Sequence, residues 1–215
     1  MIFLEVLVEG SSDVPTVKEI LQRKFGLVEN ESFRVHAHRG KGALPIHVNS
    51  QPDRTRQGLL DQLPAKLRGY SGLPAGYCVI VLVDADSEDC RDLKQRLVLL
   101  YRNLVRKPCC VLFRIAVEET ESWFLADPDA IRAAYPRARL QRLPSEGPDA
   151  VVGAWERLAE VLNLRPEDCD GADKRNWAEK ISRHLNLEDP ASPSLSAFLN
   201  GVEKVIEKSC VPSAD

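Results

Sequence analysis

Long apolar runs are missing from this chain of 215 residues. None approaches the roughly 18 consecutive apolar residues that a membrane span needs. The opening Met1-Ile2-Phe3-Leu4-Glu5-Val6-Leu7-Val8-Glu9 has no basic start and carries Glu5 inside its apolar stretch, so it is expected as a strand and not as a signal peptide. A soluble, cytoplasmic protein is expected. An excess of positive charge is also lacking: 29 Lys and Arg stand against 32 Asp and Glu, a formal net charge of −3. The chain as a whole is therefore no electrostatic nucleic-acid binder, and any such contact must come from a local basic surface. The six cysteines, at 78, 90, 109, 110, 169 and 210, form no C-x-x-C pair. Cys78, Cys109 and Cys110 fall in apolar runs where a thiol behaves as a small hydrophobe, and all six are read as reduced. There is neither an internal repeat nor a low-complexity tract. The length suits one well-filled core, or one core with a smaller helical attachment.

What the chain does have is the run Cys78-Val79-Ile80-Val81-Leu82-Val83-Asp84-Ala85-Asp86. A strand buried on both faces reads as uninterrupted Val, Ile and Leu, the pattern of the middle of a parallel sheet. Ligands of open α/β sheets sit outside the carboxyl ends of such strands. Two aspartates there repel each other unless a cation or a shared proton relieves them, which points to a divalent metal.

The surrounding pattern alternates strand and helix. Residues 2–8 form a strand, Glu9-Gly10-Ser11-Ser12 a turn, and Asp13 to Phe25 a helix with Val14, Val17, Ile20, Leu21 and Phe25 on its apolar face. Ser11 or Ser12 is the expected N-cap, and Pro15 fits the first turn. A half-exposed strand is predicted over Phe33 to His38. A helix over Arg56 to Leu67 is expected to end or kink at Pro64. The central strand spans 77–83, a helix runs from Asp89 or Cys90 to Arg106, and a further buried strand covers Cys109 to Val117. Past Asp127 come helices joined by Pro-rich turns: Asp129–Tyr135, Asp149–Leu162, Asp173–Leu187 and Ser194–Lys208. The expected fold is a three-layer αβα sandwich on a mostly parallel sheet. Residues 1–128 make the α/β core, and 129–215 a helical extension packed on it.

Three strand ends carry acids: Glu9, then Asp84 and Asp86, then Glu118, Glu119 and Glu121. In a parallel sheet with strands about 5 Å apart these emerge on one edge within reach of a shared ion. Oxygen donors of this kind select Mg²⁺ or Mn²⁺. The set Glu9-Gly10-x-x-Asp13 after a first strand, with Asp84-x-Asp86 after a later hydrophobic strand, resembles the TOPRIM domain of topoisomerases, primases and nucleases of the overcoming-lysogenisation-defect type. The segment Glu119-Thr120-Glu121-Ser122-Trp123-Phe124-Leu125-Ala126-Asp127 is similar to a branch of small TOPRIM-like proteins, many encoded beside ATPases in bacteria. Over residues 1–130 the resemblance implies Mg²⁺-dependent phosphodiester chemistry on nucleic acid, DNA before RNA, with a partner ATPase in phage defence or DNA processing. It makes Glu9 a general acid/base or metal ligand and gives Mg²⁺ to Asp84 and Asp86. Asp13 matches the later acidic position of the first motif, which the resemblance gives to a second ion. Glu119 and Glu121 match no residue of the minimal topoisomerase pattern and are expected as metal ligands or supporting residues. The tyrosine-bearing domain of topoisomerases has no counterpart here, so strand passage is not expected.

A lysine can replace one positive centre, and Lys41 and Lys174 are the candidates. The loop Arg39-Gly40-Lys41-Gly42 either holds a phosphate on its glycine-exposed amides or is a solvated turn. It lacks the Walker spacing. His36 and His38 share a strand face with no further Cys or His at ligand spacing, which favours surface or packing roles over zinc. Trp123 is expected to dock a first helical turn into the core. Two rivals remain open. One is a haloacid-dehalogenase-like phosphatase with Asp84 as nucleophile, which leaves Glu9-Gly10 unexplained. The other is a non-catalytic metal-binding regulatory subunit.

Overall fold

The computed structural model of the chain describes residues 2–145 and 147–210. Four strands, β1 (Phe3–Val8), β2 (Phe33–Ala37), β3 (Tyr77–Asp84) and β4 (Val111–Ala116), form one sheet in the order β2-β1-β3-β4. Every pairing is parallel. The chain leaves β1 through helix α1 (Asp13–Phe25) toward one edge of the sheet and leaves β3 through α3 (Cys90–Asn103) toward the other. The strand order therefore reverses between β1 and β3, which opens a crevice at their carboxyl ends.

Both faces of the sheet are covered, which is why its central strands read as unbroken apolar runs. Leu4, Val6, Val8, Ile80 and Leu82 pack with Val17, Ile20 and Leu21 of α1 and with the C-terminal helices. Leu7, Val79, Val81, Val83 and Phe113 pack on the opposite side under α2 (Leu59–Gly69) and α3. The two-residue alternation of the strands sorts these side chains between the faces. The C-terminal part comprises α4 (Glu121–Leu125), α5 (Pro128–Ala134), α6 (Ala154–Val161), α7 (Gly171–Ile181) and α8 (Pro193–Cys210). Trp123, Trp177 and Phe198 from these helices belong to the same hydrophobic cluster as α1 and the sheet. Trp123 docks as expected, fully buried, with its Nε1–H donated to Ser194 Oγ at 2.8 Å.

Three local expectations are corrected. Ser12 stands at the N-cap of α1 but makes no capping hydrogen bond; the carboxylate of Asp13 accepts the Gly10 N–H instead, at 2.9 Å. Helix α2 begins at Leu59 and runs through Pro64. Its late start comes from the glycine loop, since the Leu59 and Leu60 amides donate to the carbonyls of Gly40 and Lys41 at 2.8 and 2.7 Å. Gly42 lies against Gly58 with φ +67°, and a Cβ there would run into Asp61. Cys78 and Cys110 are not free thiols. Cys78 on β3 and Cys110 just before β4 each precede the paired residues Val79 and Val111; their Cα atoms are 4.6 Å apart and they form a disulfide. Cys90, Cys109 and Cys169 are free, and the side chain of Cys210 lies outside the described residues. Among the described residues no helix is long and apolar enough to cross a membrane.

Candidate metal centre at the acid edge

The crevice between β1 and β3 is where the acids meet. Glu9 follows β1 and Asp84 ends β3; Glu9 Oε1 accepts the Asp84 backbone N–H at 2.9 Å. One turn along, Asp13 is buried at the start of α1, its second oxygen accepting from Thr120 Oγ1 at 3.1 Å. The same hydroxyl lies 3.3 Å from Glu121 Oε2, and one hydroxyl hydrogen cannot serve both acceptors. A proton on either carboxyl resolves this contact, and burial raises the proton affinity of both. Glu121 is buried, and burial pushes its carboxyl up to about 7. Glu9 is pushed up to about 8, chiefly by burial, with the charge of Asp13 adding to the effect. Asp84 is raised well above the ordinary range by burial and then by Asp13, Glu9, Glu121 and Glu119. Asp13 and Glu119 are also raised, each mainly by burial.

Lys174 answers this charge from α7. Its Nζ stands 3.7 Å from Glu119 Oε1 and 4.0 Å from Glu121 Oε1, above the Trp155 ring at 4.6 Å from the centroid. The capping box of Asp170 and Asp173 fixes the first turn of α7 and so the position of the lysine. Arg175 turns away to Glu179 on its own helix. Glu119 is held further by the Trp155 backbone N–H, at 2.9 Å.

A second lysine closes the rim. Lys41 Nζ reaches Ala85 O at 3.0 Å, Asp86 Oδ2 at 2.9 Å and Glu88 Oε1 at 2.8 Å. Asp86 thus stands apart from the buried acids, exposed and paired to Lys41. Asp86 and Glu118 both adopt left-handed backbone, φ +49° and +63°, and the Asp86 N–H donates to Glu118 O at 2.9 Å. That conformation is unfavourable for residues other than glycine, and here it turns two strand exits toward one another. In the loop Arg39-Gly40-Lys41-Gly42, the amides of Arg39 and Gly40 are already donated to Gln57 O and Glu9 O. The loop braces the acid edge through Gly40 and Lys41. The histidines sit elsewhere: His36 Nε2 pairs with the buried Glu5 at 2.6 Å, and His38 Nδ1 contacts Val8 O at 2.8 Å.

The structure brings together Glu9, Asp13, Asp84, Glu119, Glu121 and Lys174, and sets Asp86 and Lys41 beside them. Sequence reading missed Thr120, Trp155 and Glu88. Thr120 lies between two acids already singled out and was the one within reach of notice; nothing in the sequence marks Trp155 or Glu88. Among the described residues no three His, Cys, Asp or Glu side chains are grouped as ligands around one point. By chemistry the set nevertheless suits a hard divalent ion. Its donors are all oxygens, and their shared charge is relieved by raised proton affinity, backbone amides and Lys174, with Lys41 at the rim.

A family model described as "Domain of unknown function (DUF4276)" matches residues 8–203, a span that includes every residue of the acid edge. No curated protein and no solved structure matches the chain.

Proposed function

The chain belongs to the domain-of-unknown-function family DUF4276, and we propose that it is a divalent-metal-dependent hydrolase of nucleic-acid phosphodiesters, of TOPRIM type. The observation that carries this reading is the joining of Glu9 to Asp84 at the reversal of strand order, with Asp13, Glu119 and Glu121 gathered around them. Glu9, Asp13, Asp84, Glu119 and Glu121, with Asp86 at the rim, are the residues that would hold Mg²⁺ or Mn²⁺. When bound, such an ion makes water more acidic and offsets charge on phosphate oxygens. In the metal-free site Glu9, with its proton affinity raised to about 8, keeps a proton at neutral pH; an ion held there would displace that proton and leave the carboxylate as its ligand. Lys174 offers positive charge to a phosphate from α7 and Lys41 from the glycine loop. DNA as substrate, a partner ATPase and a cytoplasmic location in phage defence or DNA processing complete the proposal on the strength of the TOPRIM resemblance.

The test is cleavage of supercoiled plasmid, linear DNA and structured RNA with Mg²⁺ or Mn²⁺, comparing the native protein with Asp84→Asn and Glu9→Gln. Each substitution is expected to lower cleavage by about 100-fold or more, in the range for loss of a group acting on the reacting atoms. Undiminished metal-dependent cleavage by both variants rules out this site as the catalytic centre.

A further inference from the structure

The sheet ends at β4, and the outer edge of that strand is partly open. The bonds Val79 N–H to Cys110 O and Ala85 N–H to Ala116 O place the even-numbered residues of β4 against β3. The odd-numbered residues therefore turn their amides and carbonyls outward, and among the described residues β4 has no further strand beside it. Phe113 O is capped by the side chains of Lys94 and Arg114, and Val117 O accepts from Ser122 Oγ at 3.2 Å. The N–H and C=O of Ile115 and the N–H of Val117 are left facing out. They lie along a groove of about 560 Å³, walled by Arg91 and Lys94 of α3, Ile115 and Val117, and Pro193 and Ala197 of α8.

The charge in this groove is one-sided. Its single acid, Asp149, is already engaged: one oxygen accepts from Ser192 and Ser194 Oγ at 2.7 and 3.1 Å, the other from the Ser194 N–H at 2.7 Å. Lys94 and Arg91 have no carboxylate partner among the described residues. Arg114 spends its Nε on Ala197 O at 2.8 Å. We propose that the outer edge of β4 is a docking site for an extended, acidic peptide segment of a partner protein. The segment adds as a short fifth strand on Ile115 and Val117 and places a carboxylate beside Arg91 and Lys94. A second copy of this chain fits less well, because pairing two such edges brings Arg91 and Lys94 of both copies into the same groove.

The test uses the full chain and a fluorescein-labelled heptapeptide of alternating valine and threonine with a glutamate at each end. Of the backbone groups Ile115→Pro removes only the outward N–H, since residues 114 and 116 keep the bonds to β3, and proline is tolerated on an edge strand in that position. Ile115→Val, which trims the packed side chain and keeps the N–H, is the control and should bind like the native chain. Saturable binding is expected, weakened about tenfold by Ile115→Pro and by Lys94→Glu, the yield of losing one backbone bond or one charge-assisted contact. It is expected to be absent for a peptide N-methylated at alternate residues. A lysine-ended peptide should recover binding to Lys94→Glu, which keeps the test decisive if Ile115→Pro does not fold. No saturable binding by the native chain, or equal binding by Ile115→Pro and the native chain, overturns the proposal. So does a peptide-free dimer that Ile115→Pro dissolves.

Discussion

At the residue scale the dominant fact is that acids have been buried beside acids. Glu121 and Glu9 bind protons more tightly in the folded chain than in the unfolded one, at about 7 and about 8 against an ordinary 4.5. Between pH 4.5 and 8 the folded state therefore holds more protons, so folding stability is greatest at the acid end of that window and falls as pH rises. Metal-free protein is expected to melt several degrees lower at pH 8 than at pH 5.5. Glu121→Gln should flatten the part of that slope below about pH 7, and added Mg²⁺ should raise the melting temperature most at pH 8. A melting temperature independent of pH across this window would contradict the proton affinities assigned here. The acids themselves were legible because each follows a strand, and strand ends of a parallel sheet share an edge. Thr120 could be suspected only from its place between Glu119 and Glu121, and Trp155 not at all, because an indole declares its partner only once the chain is folded.

At the scale of elements, strands were more legible than helix starts. Apolar alternation and continuity depend on which faces are covered, and a sheet covered on both sides leaves a plain signature. The start of α2 is set by a distant loop, whose Gly40 and Lys41 carbonyls take the first helical amides, and no local pattern encodes that. Gly42 is the hinge of this arrangement. Gly42→Ala combines a left-handed φ with a collision at Asp61 and is expected to lower stability by roughly 1–3 kcal/mol in urea unfolding. A loss below about 0.5 kcal/mol would show the loop to be freer than described. The cysteine spacing concealed the Cys78–Cys110 link because parallel strands pair residues far apart in sequence, here 32 positions. Alkylation of unreduced, denatured protein should leave two of the six cysteines unlabelled, and a reductant should release them; labelling of all six without reductant would refute the link.

At the scale of the whole molecule, the helices after residue 128 share one hydrophobic cluster with α1 and a full face of the sheet. Trp123 joins these parts, fully buried between the sheet side and Phe198, with ring centroids 5.7 Å apart. Trp123→Ala is expected to cost about 3–5 kcal/mol in global unfolding, with a single transition for sheet and C-terminal helices. Two separated transitions would indicate units that fold independently. The order of the chain adds a constraint of another kind. All five carboxylates of the acid edge are in place by residue 121, whereas Lys174, the ammonium beside Glu119 and Glu121, lies 53 positions after the last of them. Domains emerge from the ribosome N-terminus first. Throughout that interval the growing polypeptide carries the acids with Lys41 at the rim but without the lysine that faces Glu119 and Glu121, and a product truncated before residue 174 lacks that lysine altogether.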